Sequence, residues 1–421
     1  MDSRLSQRAR WAAGQPISDL MSRALGNPQL ISLAAGFVDQ DSLPVEPTRR
    51  ALEALFATVE EARAALQYGT TPGNTSLREQ ILARAIAADE PHAVGSPPTL
   101  DQVVVTAGSN QLLHLVAESL MDPGDIALCT SPTYLVFLGI VKHLGGRAIG
   151  VAMDEEGMTP ESLDTTLQHL DQAGELSRVK LIYLVPYFDN PCGVTTSLAR
   201  RAAIVELAKR WSKSSPIYVV EDAAYRELRY EGEDIPSLRT VDASGDATII
   251  AGTFSKSFSP GIRVGWGILP RQLVGPICDL KGNIDFGSPN FSQEVMAKVL
   301  ERGLYEPHVA TIRASYQTKL QAMLAAADEH LAPLPGVSWS RPSGGLYVWA
   351  TLPDHIETGP SGRLFDRALQ EGVLYVPGEF CYPLEGEPVR KNTMRLSFGV
   401  QSPERIRDGI AALARAVQWA M

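Results

Sequence analysis

Cysteine is scarce in this sequence: four in 421 residues, at Cys129, Cys192, Cys278 and Cys381, with no CxxC pair among them. That spacing excludes a disulfide framework and a zinc ribbon, fits a reducing cytoplasm, and leaves no metal site expected. Basic charge is short as well. Lys and Arg number 38 against 48 Asp and Glu, a net charge of −10. Phosphate contacts need clustered Lys and Arg, so no nucleic-acid partner is expected. Long apolar runs are missing: nothing approaches the ~18 uninterrupted apolar residues of a membrane span. The start, "MDSRLSQRARWAAGQ", has no apolar stretch of signal-peptide length. A cytoplasmic protein with no membrane contact is therefore expected. Repeats and low-complexity tracts are absent too.

What remains is ordinary globular composition, 44 % hydrophobic and 20 % charged, in a chain long enough for two lobes. Short apolar runs alternate with helical patterns through the middle: "VVVTAG", "DIALCTSP", "RAIGVAM", "VKLIYLVP", "PIYVVED", "ATIIAGT" and "VGWGILP". Such alternation predicts an α/β fold with a mainly parallel sheet flanked by helices. Helices are expected at "SNQLLHLVAESL" and "SLARRAAIVELAKRWSKS", and over most of 291–331. The strands "VSWSRPSGGLYVWATLP", "VLYVPGEFC" and "TMRLSFG", followed by a last helix, predict a smaller α+β domain. The expected division is an arm over 1–45 that joins the small domain, a large domain over 46–330, and the small domain over 331–421.

Ligands in open α/β sheets bind at the carboxyl ends of strands, and four candidate groups fall there. "TAGSNQ" is a tight turn opening a helix, a ready phosphate site in which Ser109 is both cap and ligand, or only an N-cap. "IYVVEDAAY" puts Asp222 at a strand end with Tyr225 three residues on; the carboxylate could keep a ring nitrogen protonated or cap a helix. "NPCG" puts Asn190 in a turn, and "SPTY" offers the Tyr134 ring for stacking or packing. The stretch "GTFSKSFSPGIRVGW", residues 252–266, adds the amine of Lys256, the Ser255 hydroxyl and the Arg263 guanidinium. A lysine that attacks carbonyls, a carboxylate for a ring nitrogen and a phosphate cradle together describe pyridoxal 5′-phosphate.

With these segments, and with "ISLAAG", "LQYGTTPGNTSLRE" and "NTMRLSF", the chain resembles the fold-type-I pyridoxal-phosphate enzymes of aminotransferase class I/II over most of its length. It is most similar to the branch of 2-aminoadipate and kynurenine aminotransferases and MocR-like regulators. The resemblance implies a mixed, mainly parallel seven-stranded sheet. It implies that Lys256 holds the cofactor and later moves a proton from the substrate Cα. Asp222 would sit on the ring nitrogen, Tyr225 and Asn190 on the ring's phenolic oxygen, and Tyr134 on its face. Ser109, Asn110, Ser255 and Arg263 would cradle the phosphate, joined by Tyr68 from the neighbouring subunit of a homodimer. Arg395 would clamp the substrate α-carboxylate, with Asn190 and Gly36 lining its pocket. Three places depart from the family pattern: Cys192 in "NPCG" after the run "YFD", Asn110 after the phosphate serine, and "AAGFVDQDSLP" on the substrate side.

The implied activity is transfer of an amino group between an L-amino acid (2-aminoadipate-like, aromatic or branched) and a 2-oxo acid such as 2-oxoglutarate. Phe37 and Tyr187 are candidates for a bulky-substrate pocket. Two further readings share the scaffold: a decarboxylase or carbon–sulfur lyase, and a ligand-sensing module of the MocR kind. Only 67 residues precede Tyr68, without a basic helix-turn-helix pattern, so DNA binding is not expected.

Overall fold

The structure of the protein, a computed structural model, describes residues 4–14, 20, 26, 27, 29–92 and 95–421. The seven apolar runs of the middle chain become strands β1 (Val103–Thr106), β2 (Ile126–Ser131), β3 (Arg147–Asp154), β4 (Val179–Leu184), β5 (Tyr218–Asp222), β6 (Thr248–Thr253) and β7 (Gly265–Ile268). They lie in the order β3-β2-β4-β5-β6-β7-β1, parallel except for β7, which is antiparallel to both neighbours. Every residue of β1 and β5 is buried, as strands covered by helices on both faces require. The expected seven strands are joined by two of two residues each, so the sheet has nine. Gly157–Met158 folds back on β3, and Glu385–Gly386 pairs with Ile149–Gly150 on its outer edge. Pairings this short leave no local pattern in the sequence.

The helices follow their capping chemistry. Helix α1 (Ser109–Leu120) opens three residues after β1 and buries Leu112, Leu113, Leu115 and Val116 against the sheet. Helix α2 (Leu198–Trp211) starts at Ser197, whose hydroxyl accepts from the Arg200 amide at 3.4 Å. Helices α3 (Asn290–Glu301) and α4 (Tyr305–His330) are separated at Gly303, whose φ of 62° ends the first helical run. Helix α5 (Pro403–Ala420) has Ser402 as cap and Pro403 as its first residue.

Beyond α4, strands β8 (Ser338–Trp339), β9 (Tyr347–Thr351), β10 (Val376–Pro377) and β11 (Thr393–Ser397) form an antiparallel sheet in the order β8-β9-β11-β10. Part of the arm expected over 1–45 lies outside the described residues. Within them, Ile31–Ser32 pairs in parallel with Val373–Leu374, and the Trp11 ring lies over Gly145 beside the large sheet. One apolar cluster runs from Tyr183 and Val220 in the large sheet to Tyr347 and Leu396 in the small one. The two sheets thus meet in a shared interior, at the carboxyl ends of β4, β5 and β6. Among the described residues no helix is long and apolar enough to cross a membrane.

Candidate active site

A cavity of about 410 Å³ opens at this junction, and its walls include Gly36, Ser109, Asn110, Tyr134, Asn190, Asp222, Tyr225, Ser255, Lys256, Arg263 and Arg395. Segments up to some 360 residues apart in sequence converge there. Of the residues expected to hold the cofactor or the substrate carboxylate, Tyr68 alone stands outside this cavity. It follows the helix Val59–Ala65, is 80 % exposed, and meets the Phe286 ring edge-on at 5.7 Å.

The anion end is built by close approach of backbone. A side chain at Gly265 on β7 would put its Cβ 2.3 Å from the Ser109 amide nitrogen, so only glycine lets the start of α1 lie against the strand. The cap of α1 is Gly108, with φ 88°, and Ser109 is the first helical residue; the expectation that Ser109 caps the helix is corrected. Glycine takes the cap because the turn needs positive φ there. The turn is fixed instead by Gln111, whose side-chain oxygen accepts from the Ala107 amide at 2.7 Å. Arg263 has left-handed backbone (φ 52°, ψ 45°), a costly state for a non-glycine residue. That twist turns its guanidinium toward the Ser255 hydroxyl (3.4 Å) and the Ala107 carbonyl (2.9 Å). Thr253 adds a hydroxyl 3.0 Å from that of Ser255. Hydroxyls, a guanidinium and the amides of a helix start form a donor set suited to a phosphate.

At the other end, Asp222 closes β5 with its side chain 4 % exposed as a residue. It accepts from the Tyr183 hydroxyl at 2.9 Å and from the Ala224 amide at 3.3 Å. Burial pushes its carboxyl up to about 6, against the downward pull of those two hydrogen bonds. A buried carboxylate of this kind is suited to a protonated ring nitrogen. Lys256 lies just past β6 and donates from Nζ to the Gly36 carbonyl at 2.7 Å. Amine, carboxylate and phosphate cradle therefore fit pyridoxal phosphate in both size and chemistry.

Arg395 enters from β11 and is 2 % exposed. Its Nη1 donates to Asn190 Oδ1 at 2.8 Å and its Nη2 to the Ala34 carbonyl at 2.9 Å. Among the described residues it makes no ion pair, and its Nε has no acceptor. Asn190 passes the chain on, donating from Nδ2 to the Tyr225 hydroxyl at 3.3 Å.

Asp189 and Cys192, in the stretch that departs from the family pattern, are both buried. Asp189 is 3 % exposed, and neither of its carboxylate oxygens has a partner among the described residues. Burial, then the nearby Asp222, pushes its carboxyl well above the usual range. Burial likewise raises the Cys192 thiol, so it is no nucleophile. Phe37 lines the cavity as expected, but Tyr187 does not. The Tyr187 ring is buried under the Arg201 guanidinium, 4.2 Å from its centroid. Sequence reasoning missed Tyr183, Thr253 and Tyr347. All three sit in runs that read as ordinary buried strand.

The profile of the family described as aminotransferase class I and II matches residues 28–413. The chain is 35 % identical to aromatic-amino-acid aminotransferase 1 of Thermococcus litoralis, over 99 % of this chain and 94 % of the relative. It is 31 % identical to the 2-aminoadipate transaminase of Thermus thermophilus, over 93 % of this chain and 91 % of that one. Among solved structures, the kynurenine aminotransferase of Pyrococcus horikoshii, crystallised with PMP, superposes with a TM-score of 0.89 at 34 % identity, covering 99 % of this chain and 97 % of its own. This chain therefore belongs to the class I and II aminotransferases and is a pyridoxal-phosphate-dependent enzyme.

Proposed function

We propose that the protein moves the amino group of an L-amino acid with a long or aromatic side chain to a 2-oxo acid such as 2-oxoglutarate. The observation that carries this is Arg395: a buried guanidinium with no counter-ion among the described residues, facing the same cavity as Lys256. A buried cation is costly unless paired, and the α-carboxylate common to both substrates would supply the pair. Phe37, Leu135, Val136 and Val185 give the cavity an apolar wall that suits a bulky side chain. The names of the Thermococcus, Thermus and Pyrococcus proteins point the same way.

When bound, pyridoxal phosphate supplies an electron sink that acidifies the substrate Cα–H. Ser109, Asn110, Ser255 and Arg263 hold its phosphate, Asp222 its ring nitrogen, Tyr134 its face, and Tyr225 with Asn190 its phenolic oxygen. Lys256 would take the substrate Cα proton as general base and later give a proton back as general acid. Arg395 and Asn190 orient the substrate through its carboxylate, and Gly36 leaves room beside it.

The test is visible absorbance of the purified enzyme as 2-aminoadipate, kynurenine, aromatic amino acids and glutamate are added singly. We expect the cofactor band to bleach with one of these donors and to return with 2-oxoglutarate. A released amine with carbon dioxide, or ammonia with pyruvate, would instead identify a decarboxylase or a lyase.

A homodimer is part of the same proposal. Leu66, Tyr68, Ile284, Phe286 and Phe291 are exposed apolar side chains, with Tyr68 against Phe286, and Tyr68 would reach the phosphate site of a second copy. Mixing Tyr68→Phe with Lys256→Ala chains is expected to restore about a quarter of wild-type activity, because about half of the dimers are mixed and each mixed dimer carries one intact site of two. Activity no higher than the mean of the parents would refute sharing.

A further inference from the structure

Tyr347 stands on β9, diagonal to Arg395 on β11, since Trp349 pairs with Arg395 and Tyr347 with Ser397. Both side chains therefore leave the small sheet on one face, and the Arg395 guanidinium lies 4.3 Å from the centroid of the Tyr347 ring. The Tyr347 hydroxyl is 3.2 Å from that of Tyr225, and the two rings meet edge to face. A chain of contacts thus runs Arg395–Asn190–Tyr225–Tyr347 and closes back on Arg395.

A phenol has one proton to give and room to accept two. The Tyr225 oxygen already accepts from Asn190. If Tyr225 gave its proton to Tyr347, none would remain for a group in the cavity. If Tyr347 donates, the Tyr225 proton is left pointing at the cavity, and hydrogen bonds polarising one another make Tyr225 the stronger donor. We propose that Tyr347 is a positioning residue of the reaction, which donates to Tyr225 so that Tyr225 donates into the cavity, and whose ring seats the carboxylate-binding guanidinium. This rests on the reading of the cavity as the pyridoxal-phosphate site.

The groups facing Tyr347 are Arg395 on β11, Lys256 after β6, Tyr225, Tyr134, Tyr316 on α4 and Cys381. Burial pushes the Tyr347 phenol up, but Arg395, Lys256 and the hydrogen bond with Tyr225 together outweigh it and leave it more acidic than usual. Tyr225 is pushed up, chiefly by burial.

The hydroxyl also explains a glycine. A Cβ at Gly36 would fall 2.7 Å from the Tyr347 oxygen, and the next nearest atom is the ring Cζ at 3.7 Å. Only the hydroxyl forbids alanine there.

Two measurements test this. In the holoenzyme without substrate, the pH midpoint of the cofactor's visible band is compared among wild type, Tyr347→Phe, Tyr225→Phe and the double variant. A cofactor oxygen that loses hydrogen-bond donation becomes more basic. Tyr347→Phe is therefore expected to raise the midpoint by about 0.5–1 pH unit. Tyr225→Phe should raise it further, and the double variant no more than Tyr225→Phe. An unmoved midpoint in Tyr347→Phe, or fully additive shifts, overturns the proposal alone; no visible band in wild type overturns the cofactor reading and the proposal with it. Independently of the cofactor, Gly36→Ala is expected to melt several degrees below wild type, and Gly36→Ala/Tyr347→Phe to melt level with Tyr347→Phe. If the double variant stays as unstable as Gly36→Ala, the hydroxyl is not where the proposal needs it.

Discussion

The Lys256→Ala protein folds, takes up pyridoxal phosphate and does not turn over. The first part follows from how little holds Lys256 to the fold, a single hydrogen bond from Nζ to the Gly36 carbonyl. The second follows from the cradle of Ser109, Ser255 and Arg263, which needs no covalent anchor. The third follows because no other amine lines the cavity among the described residues, so nothing can replace the lost base. Positioned proton transfer contributes about 10²–10⁴-fold, and a covalent lysine adds to this, so a loss of about 10⁴-fold or more in kcat/KM is expected. Borohydride should fix cofactor to the wild-type chain and none to the variant. Appreciable turnover, or reducible cofactor still attached to the variant, would show that the working amine lies elsewhere.

Asp222→Asn is expected to act in opposite directions on catalysis and on the stability of cofactor-stripped protein. Catalysis falls because the ring nitrogen loses its anionic partner inside a buried site. Breaking a buried pair costs about 3–5 kcal/mol, or roughly 10²–10⁴-fold in kcat/KM. Stability moves the other way. The folded protein holds the Asp222 proton more tightly than the unfolded chain, about 6 against an ordinary 3.8. Its contribution to stability is therefore complete below pH 4 and is lost as pH rises through 6, a loss approaching about 3 kcal/mol. Asparagine has no proton to lose. The stripped variant should melt above stripped wild type at pH 7.5 and show no such advantage at pH 4. Equal melting temperatures at both values would mean that Asp222 carries no burial penalty.

What could be read from the chain beforehand follows from range. The seven long strands were legible because parallel strands buried on both faces are written as unbroken apolar runs, as in "VVVT" and "YVVED". Glu385–Gly386 was not, because its pairing with β3 depends on where the second lobe docks. Lys256, Asp222, Ser109 and Arg263 were legible because each sits in a short segment with its own chemistry at a strand end. Tyr347 and Tyr183 were not, since a tyrosine in an apolar strand looks like core until its hydroxyl partner is known. Tyr187 shows the converse: its neighbour in space, Arg201, comes from α2, and that contact draws the ring away from the cavity. One residue lay between these cases. Arg395 was found by resemblance, and only the fold shows it buried without a counter-ion among the described residues.

The same Glu385–Gly386 segment bears on how the chain could be taken apart. It lies along the outer edge of β3, and Arg147 on that strand holds Glu385 at 2.7 Å. A fragment stopped at residue 330 would contain every long strand of the large sheet yet uncover the Ile149–Gly150 edge of β3, a template for another chain to add to. A truncated protein is expected to clump more readily than the intact one. The last ninety residues act as a selvedge on the sheet woven by the first three hundred, and gene fusions or split-protein designs must keep that hem.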